Sequence, residues 1–87
     1  MSVETSLRER LAALEPTKLE IADDTEKHAG HAGAAGGGRH FRLTIVSGHF
    51  TGKPLLARHR LVIQAAGELM QGAIHALSIN AKAPGEV

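Results

Sequence analysis

A segment near the middle of the chain, His40–Ser47, alternates apolar and polar side chains. In an extended strand one face would carry Phe41, Leu43 and Ile45, and the opposite face would carry the residues that alternate with them, such as Arg42. Such a strand is stable only when other elements pair with its edges and cover its apolar face. The remaining segments must therefore supply partner strands and a covering layer.

Two segments have the spacing of amphipathic helices and are predicted to form that layer. Ser2 or Ser6 can cap the first helix, and Pro16 ends it. The second helix is predicted to begin at Pro54, which suits the first helical position, and to end near Met70. The apolar residues are Val3, Leu7, Leu11 and Leu14 in the first helix, and Leu55, Leu56, Val62, Ile63, Ala66, Leu69 and Met70 in the second.

Apolar and polar side chains also alternate, as in strands, in two further segments, residues 18–22 and Ile74–Lys82. Each is predicted to turn one face toward the core, with Leu19 and Ile21 on that face of the first strand, and His75, Leu77 and Ile79 on that face of the second.

The predicted order of elements is αββαβ. With 87 residues the chain has room for one core, so residues 1–87 are expected to form a single α+β domain. The expected architecture is a two-layer sandwich with a three-stranded mixed sheet and helices on one face. Residues 25–39, rich in glycine and histidine, are predicted to be a mobile loop, and the tail, residues 83–87, is predicted to be flexible.

This order of elements brings several histidines together. The second and third strands are joined through a helix, which favours parallel pairing, so both begin at the same end of the sheet. His40 at the head of the second strand and His75 at the head of the third are therefore expected to lie close together. His28 and His31 belong to the loop that leads into this end.

The chain contains six histidines and no cysteine. Imidazoles bind zinc, copper, nickel and iron, and histidine replaces cysteine at one iron of some [2Fe-2S] centres. The converging histidines therefore predict a metal site. The alternative is that His40 is an ordinary strand residue and that the loop histidines are solvated. A closed site made by this chain alone is not expected, because no thiolate accompanies the imidazoles; ligation shared with a partner fits better.

Charge is distributed unevenly along the chain. Residues 1–26 carry seven acidic and three basic side chains, whereas residues 27–87 carry seven basic and two acidic ones. Arg58, His59 and Arg60 form a basic cluster near the start of the second helix, which either holds phosphate groups or is an ordinary solvated turn. No hydrolase elbow is found, nor a carboxylate pair near a histidine on the same predicted surface, so no enzyme is predicted.

Residues 50–62, FTGKPLLARHRLV, match the signature FxGxxxxxRHRxV and resemble the BolA family. The strand HFRLTIVS before them and the segment IHALSI after them are also similar to that family, and the resemblance extends from the first helix to about Pro84. It implies the BolA fold, which is similar to the type II KH topology. It also implies an adaptor in iron-sulfur cluster trafficking and iron regulation, which shares a glutathione-ligated [2Fe-2S] cluster with a monothiol glutaredoxin.

Carried over by position, the resemblance implies that His31 and His75 are ligands of this cluster. His28 is the alternative loop ligand, because loop length varies in the family, and His40 is a further candidate beside them. A thiolate of the glutaredoxin and the thiolate of glutathione would complete the site. No cofactor is therefore expected in the isolated chain, which is expected to be a monomer.

The resemblance also implies an alternative function, that of a DNA-binding transcriptional regulator linked to the stress response. In that case Lys53, Arg58 and Arg60 would contact duplex DNA. The first residues lack the basic start and apolar run of a targeting signal, and no segment has the length of a membrane span. A cytoplasmic protein without membrane contact is therefore expected.

Overall fold

The computed structural model describes residues 2–24 and 39–87. Its elements follow the predicted αββαβ order: α1 is Val3–Leu11, β1 is Lys18–Asp23, β2 is Arg39–Val46, α2 is Leu55–Ala66 and β3 is Ile74–Lys82. Short 3₁₀ turns occupy Ala12–Leu14, Gly48–Phe50, Gly67–Gln71 and Pro84–Glu86. The side chain of Ser2 caps α1 by accepting a hydrogen bond from the backbone N–H of Thr5 at 3.1 Å.

The three strands form one mixed sheet in the order β1-β2-β3. Strand β1 pairs antiparallel with β2, so that Ile21 lies opposite Leu43. Strand β3 pairs parallel with β2, so that Ile79 lies on the other side of Leu43. The predicted topology is confirmed, and β2 is the central strand.

The core lies between the sheet and the two helices. Phe41, Leu43 and Ile45 of β2 are buried, as their alternation predicts, whereas Arg42 between them is exposed. The residues that pack against this face come from both helices, from the turns and from β3: Leu7, Leu11, Leu14, Phe50, Val62, Ala66, Ile74, Ala81 and Ala83. The helices thus cover one face of the sheet, which is the predicted two-layer α+β sandwich.

Helix α2 differs from its prediction at both ends. Pro54 is the N-cap residue rather than the first helical residue, and the regular helix ends at Ala66 because Gly67 adopts a positive φ of 57°. A Cβ atom at Gly67 would also approach the Arg10 guanidinium to 2.9 Å. Leu55, Leu56 and Ile63, expected in the apolar stripe, are exposed.

The tail, residues 83–87, was predicted to be flexible. In the structure Ala83 is buried and Pro84–Glu86 form a 3₁₀ turn, because the Glu86 side chain accepts a hydrogen bond from the backbone N–H of Ala83 at 3.1 Å and pairs with Arg58. The predicted mobile loop, apart from Arg39, lies outside the described residues. None of the described helices combines the length and hydropathy that crossing a membrane requires.

Ser47 is a fully buried polar residue at the end of β2. Its hydroxyl donates to the carbonyl oxygen of Leu14 at 2.5 Å and accepts from the backbone N–H of His49 at 3.0 Å. We predict that Ser47→Ala lowers the free energy of unfolding by about 1–3 kcal/mol, because it leaves a buried carbonyl and a backbone N–H without this partner.

Urea unfolding followed by far-UV circular dichroism measures this loss, since the chain has no tryptophan or tyrosine. Ser78→Ala, at an exposed position of β3, is the matched control and is expected to leave the unfolding midpoint unchanged. Equal effects of the two substitutions would contradict the assignment.

Candidate functional site

The register between β2 and β3 is irregular at the end of the sheet where both strands begin. Arg39 pairs with Ile74, but the next residue, His40, pairs with Ala76, so His75 is an extra residue in the ladder. Such a bulge reverses the regular alternation of faces. Ile74 is buried, and His75, predicted on the same face as Leu77, is exposed instead.

The same bulge places two imidazoles side by side. The ring centroids of His40 and His75 are 5.1 Å apart, with an angle of 41° between the ring planes. His40 alternates with the buried Phe41, so its side chain lies on the sheet face that the helices leave open. His40 and His75, the two predicted site residues that belong to strands, therefore lie together on the open face, at the end of the sheet where β2 and β3 begin.

The two other predicted ligands, His28 and His31, lie outside the described residues. Within residues 2–24 and 39–87 no three histidine, aspartate or glutamate side chains come together as a metal site would require. The described part of the predicted site is thus the pair of His40 and His75.

The basic cluster of α2 has a different environment from the one that the sequence suggested. The side chain of Arg58 is 11% exposed. Its guanidinium forms a bidentate ion pair with Glu86, with 2.6 Å between Nη1 and Oε1 and 2.7 Å between Nη2 and Oε2. Its Nε donates to the carbonyl oxygen of Lys53 at 2.8 Å, and Nη1 also donates to that of Ala81 at 3.1 Å. Arg58 therefore joins the start of α2 to the end of β3 and to the tail.

This ion pair changes the acidity of both partners. The hydrogen bonds from Arg58, and then that from the backbone of Ala83, lower the pKa of Glu86 to about 2. The hydrogen bond to Glu86 in turn raises the pKa of Arg58. Lys53 and Arg60, the other predicted nucleic-acid contacts, are exposed.

A histidine–glutamate pair that the sequence did not indicate lies just beyond the C-terminal end of β2. His49 Nε2 is 3.1 Å from Oε1 of Glu15, and these two residues and Gly48 line a shallow cleft of about 330 Å³. Glu15 has a positive φ of 50°, which is uncommon for a residue with a side chain. The two residues are 34 positions apart, and nothing in either local pattern pairs them.

Fold and site together define a class: a small α+β domain with a central strand, a parallel third strand and an imidazole pair where those two strands begin. Residues 11–86 match the family model described as BolA-like protein. The chain belongs to the BolA family.

The chain is similar to several named proteins. It is 44% identical over 85 residues to "BolA-like protein 1" of Mus musculus, with 97% of this chain and 60% of that protein covered. It is 47% identical over 87 residues to "SufE-like protein 1, chloroplastic/mitochondrial" of Arabidopsis thaliana, with 93% of this chain and 24% of that protein covered. The chain thus spans only part of these relatives. Since the second name refers to chloroplasts and mitochondria, the cytoplasmic location stays a prediction.

A bacterial relative and a solved structure cover more of their own length. "DNA-binding transcriptional regulator BolA" of Escherichia coli K12 is 33% identical over 81 residues, which are 92% of this chain and 74% of that protein. The structure of BolA1 from Arabidopsis thaliana superposes with a TM-score of 0.84 at 38% identity, covering 100% of this chain and 98% of that one. This likeness confirms the fold that the sequence predicted.

The ion pair of Arg58 and Glu86 predicts a specific dependence of stability on pH. Because the pKa of Glu86 is lower in the folded chain than its ordinary value of 4.5, its carboxylate stabilises the fold above that value, and this contribution is lost as the pH falls toward 2. We predict that Glu86→Gln is less stable than the parent at neutral pH, and that the difference shrinks as the pH falls from about 4.5 to about 2.

Urea midpoints of the two proteins across this pH range measure the difference. Glu9→Gln, at an exposed position of α1, is the matched control and is expected to follow the parent at every pH. A difference between Glu86→Gln and the parent that stays constant with pH would contradict the assigned ion pair.

Proposed function

We propose that this chain is an iron-sulfur adaptor that carries a [2Fe-2S] cluster jointly with a monothiol glutaredoxin. His75 is the ligand from the strand, and His31 is the ligand from the loop, with His28 as its alternative. The observation that supports the proposal is the exposed imidazole of His75, displaced by the bulge to the open face beside His40.

The chemistry of the donor set suits this cargo. A neutral imidazole binds iron, and histidines replace cysteines at one iron of Rieske centres. The chain has no cysteine, so any thiolate ligands must come from outside it, here from the glutaredoxin and from glutathione. A shared cluster needs ligands that a partner can reach, and His75 is exposed.

His40 has a supporting part in this proposal. Its ring contacts that of His75. Its backbone is held on both sides, because its carbonyl oxygen accepts a hydrogen bond from the backbone N–H of Asp24 at 2.8 Å and it pairs with Ala76 of β3. The contact restricts the orientations of the His75 ring, which favours binding because less conformational freedom is lost. His40 is also the nearest described imidazole that can replace a loop ligand.

The test is reconstitution of the chain with a monothiol glutaredoxin, iron, sulfide and glutathione, followed by visible absorption. We predict that the mixed complex has a cluster spectrum that the glutaredoxin alone does not give, and that His75→Ala removes or alters it. His31→Ala is expected to act in the same way. His28→Ala and His40→Ala, measured in parallel, identify which further imidazole contributes.

His49→Ala is the matched control, because it removes an exposed histidine at the opposite end of β2. Its complex is expected to keep the parent spectrum. An unchanged spectrum in His75→Ala would refute the ligand assignment, and failure of the parent chain to change the spectrum of the glutaredoxin would refute the adaptor function.

A second function, binding of duplex DNA by α2, is favoured by the name of the Escherichia coli relative and by the exposure of Lys53 and Arg60. Arg58 contributes less to this proposal than the sequence suggested, because Glu86 and two backbone carbonyls already occupy its donors. The phosphate contacts would therefore come from Lys53 and Arg60.

If α2 binds DNA in this way, Arg60→Ala is expected to weaken binding uniformly across sequences and to reduce the slope of log K against log salt by about 1. Fluorescence anisotropy with a labelled duplex at several salt concentrations measures the slope. Lys18→Ala, which removes an exposed lysine of β1, is the control and is expected to keep the parent slope. Absence of binding at physiological salt for every duplex would refute this function.

A further inference from the structure

The start of α2 exposes large apolar side chains that the core does not use. Leu55 and Leu56 are 61% and 62% exposed, and Ile63 is 38% exposed. Ile63 follows Leu56 by seven residues and Leu55 by eight. At 3.6 residues per turn, all three side chains therefore lie on the same side of α2. On this side the half-buried His59 lies between the leucines and Ile63. Single exposed leucines are ordinary, whereas several large apolar side chains exposed on one side of a helix favour an interaction surface.

The surroundings of these side chains are positively charged. Lys53 and Arg60 are exposed beside them, and residues 39–67 contain no aspartate or glutamate. The acidic group bound at the start of α2, Glu86, is paired with Arg58. Pro54 gives the N-terminus of α2 no side-chain cap, and its first turn has no acidic residue. Because aligned peptide dipoles leave partial positive charge at a helix N-terminus, this surface favours carboxylates.

The start of α2 is remote from the histidine pair. Arg58 connects the start of α2 to the carbonyl oxygen of Ala81, near the end of β3, whereas His75 lies at the beginning of that strand. Ala81 follows His75 by six positions, which span about 20 Å in a strand. A partner centred on the first turn of α2 therefore leaves the histidine edge accessible.

We propose that Lys53, Leu55, Leu56, Arg60 and Ile63, here called the α2 patch, dock a protein segment that has leucine-like side chains flanked by carboxylates. The exposed leucines and isoleucine would be covered by the apolar side chains of the segment, while Lys53, Arg60 and the uncapped helix start would attract its carboxylates. The apolar centre distinguishes this partner from duplex DNA, whose contacts are made mainly to phosphates and base edges.

The test uses the full chain, without iron, and a synthetic helix-forming peptide with leucines on one face and glutamates beside them. We expect amide shifts in the two-dimensional NMR spectrum at Leu55, Leu56 and Ile63 that saturate with peptide, and no shift at His75. Leu56→Ser is expected to weaken binding about tenfold, because it removes part of an apolar side chain from the interface.

The contribution of charge to peptide binding is tested with two charge-reversal variants. Lys53→Glu is expected to weaken binding by up to about fivefold at low salt and by less at high salt, whereas Lys18→Glu, at an exposed lysine of β1, leaves it unchanged. A peptide with glutamine in place of glutamate is expected to bind more weakly than the parent peptide. Circular dichroism of each variant establishes that it is folded.

Absence of saturable shifts at the α2 patch would overturn the proposal. It would also be overturned if a DNA duplex caused larger shifts at these residues than the peptide and Leu56→Ser left both unchanged, since the surface would then bind nucleic acid. Because the titration contains no cluster and no glutaredoxin, its outcome is independent of the proposed adaptor function. His75→Ala is expected to bind the peptide as the parent does.

Discussion

The burial of one face of β2 is the constraint on which the rest of the structure depends. This strand is central, so its backbone pairs on both edges, and Phe41, Leu43 and Ile45 supply the middle of the core. Leu7 and Leu11 of α1 and Val62 of α2 pack in the same cluster. Because β3 is parallel to β2, the chain must return to the end of the sheet where β2 began, and α2 is part of that return. The parallel pairing therefore determines both the place of α2 and the proximity of His40 to His75.

Much of this fold could be predicted from the sequence, because alternation and helical spacing record which side of each element is buried. The bulge at His75 could not. A strict two-residue period assigns His75 to the face of Leu77, but the backbone register skips this residue and turns its side chain to the open face. The register depends on how two distant segments pair, and the composition of β3 alone does not encode it. The sequence thus predicted that the two imidazoles are close, but not the face on which they lie.

One tertiary contact connects two segments that the sequence treated separately. The sequence predicted a flexible tail, and an arginine cluster that either holds phosphate groups or is a solvated turn; in the structure Arg58 of that cluster pairs with Glu86 of the tail. The partners are 28 positions apart, so no local pattern connects them. The apolar spacing of α2 indicates which side of the helix faces the core. It does not show whether a neighbouring element is close enough to bury each position on that side. Val62 and Ala66 have such neighbours, whereas Leu55 and Leu56, at the start of the helix, do not.

The separation of the histidine edge from the start of α2 has a consequence for the adaptor function proposed above. A standard interface buries about 800 Å² per partner, so two partners of a small domain avoid competition only when their surfaces are well separated. Here β3 separates the two surfaces: His75 lies at its beginning, and Arg58 connects the start of α2 to Ala81 near its end. The proposed partner that supplies thiolates at His75 and the proposed partner at the start of α2 would therefore occupy different surfaces. Since the sheet between them is held by parallel pairing and by the core, it would keep the two proposed partners at a fixed distance from each other.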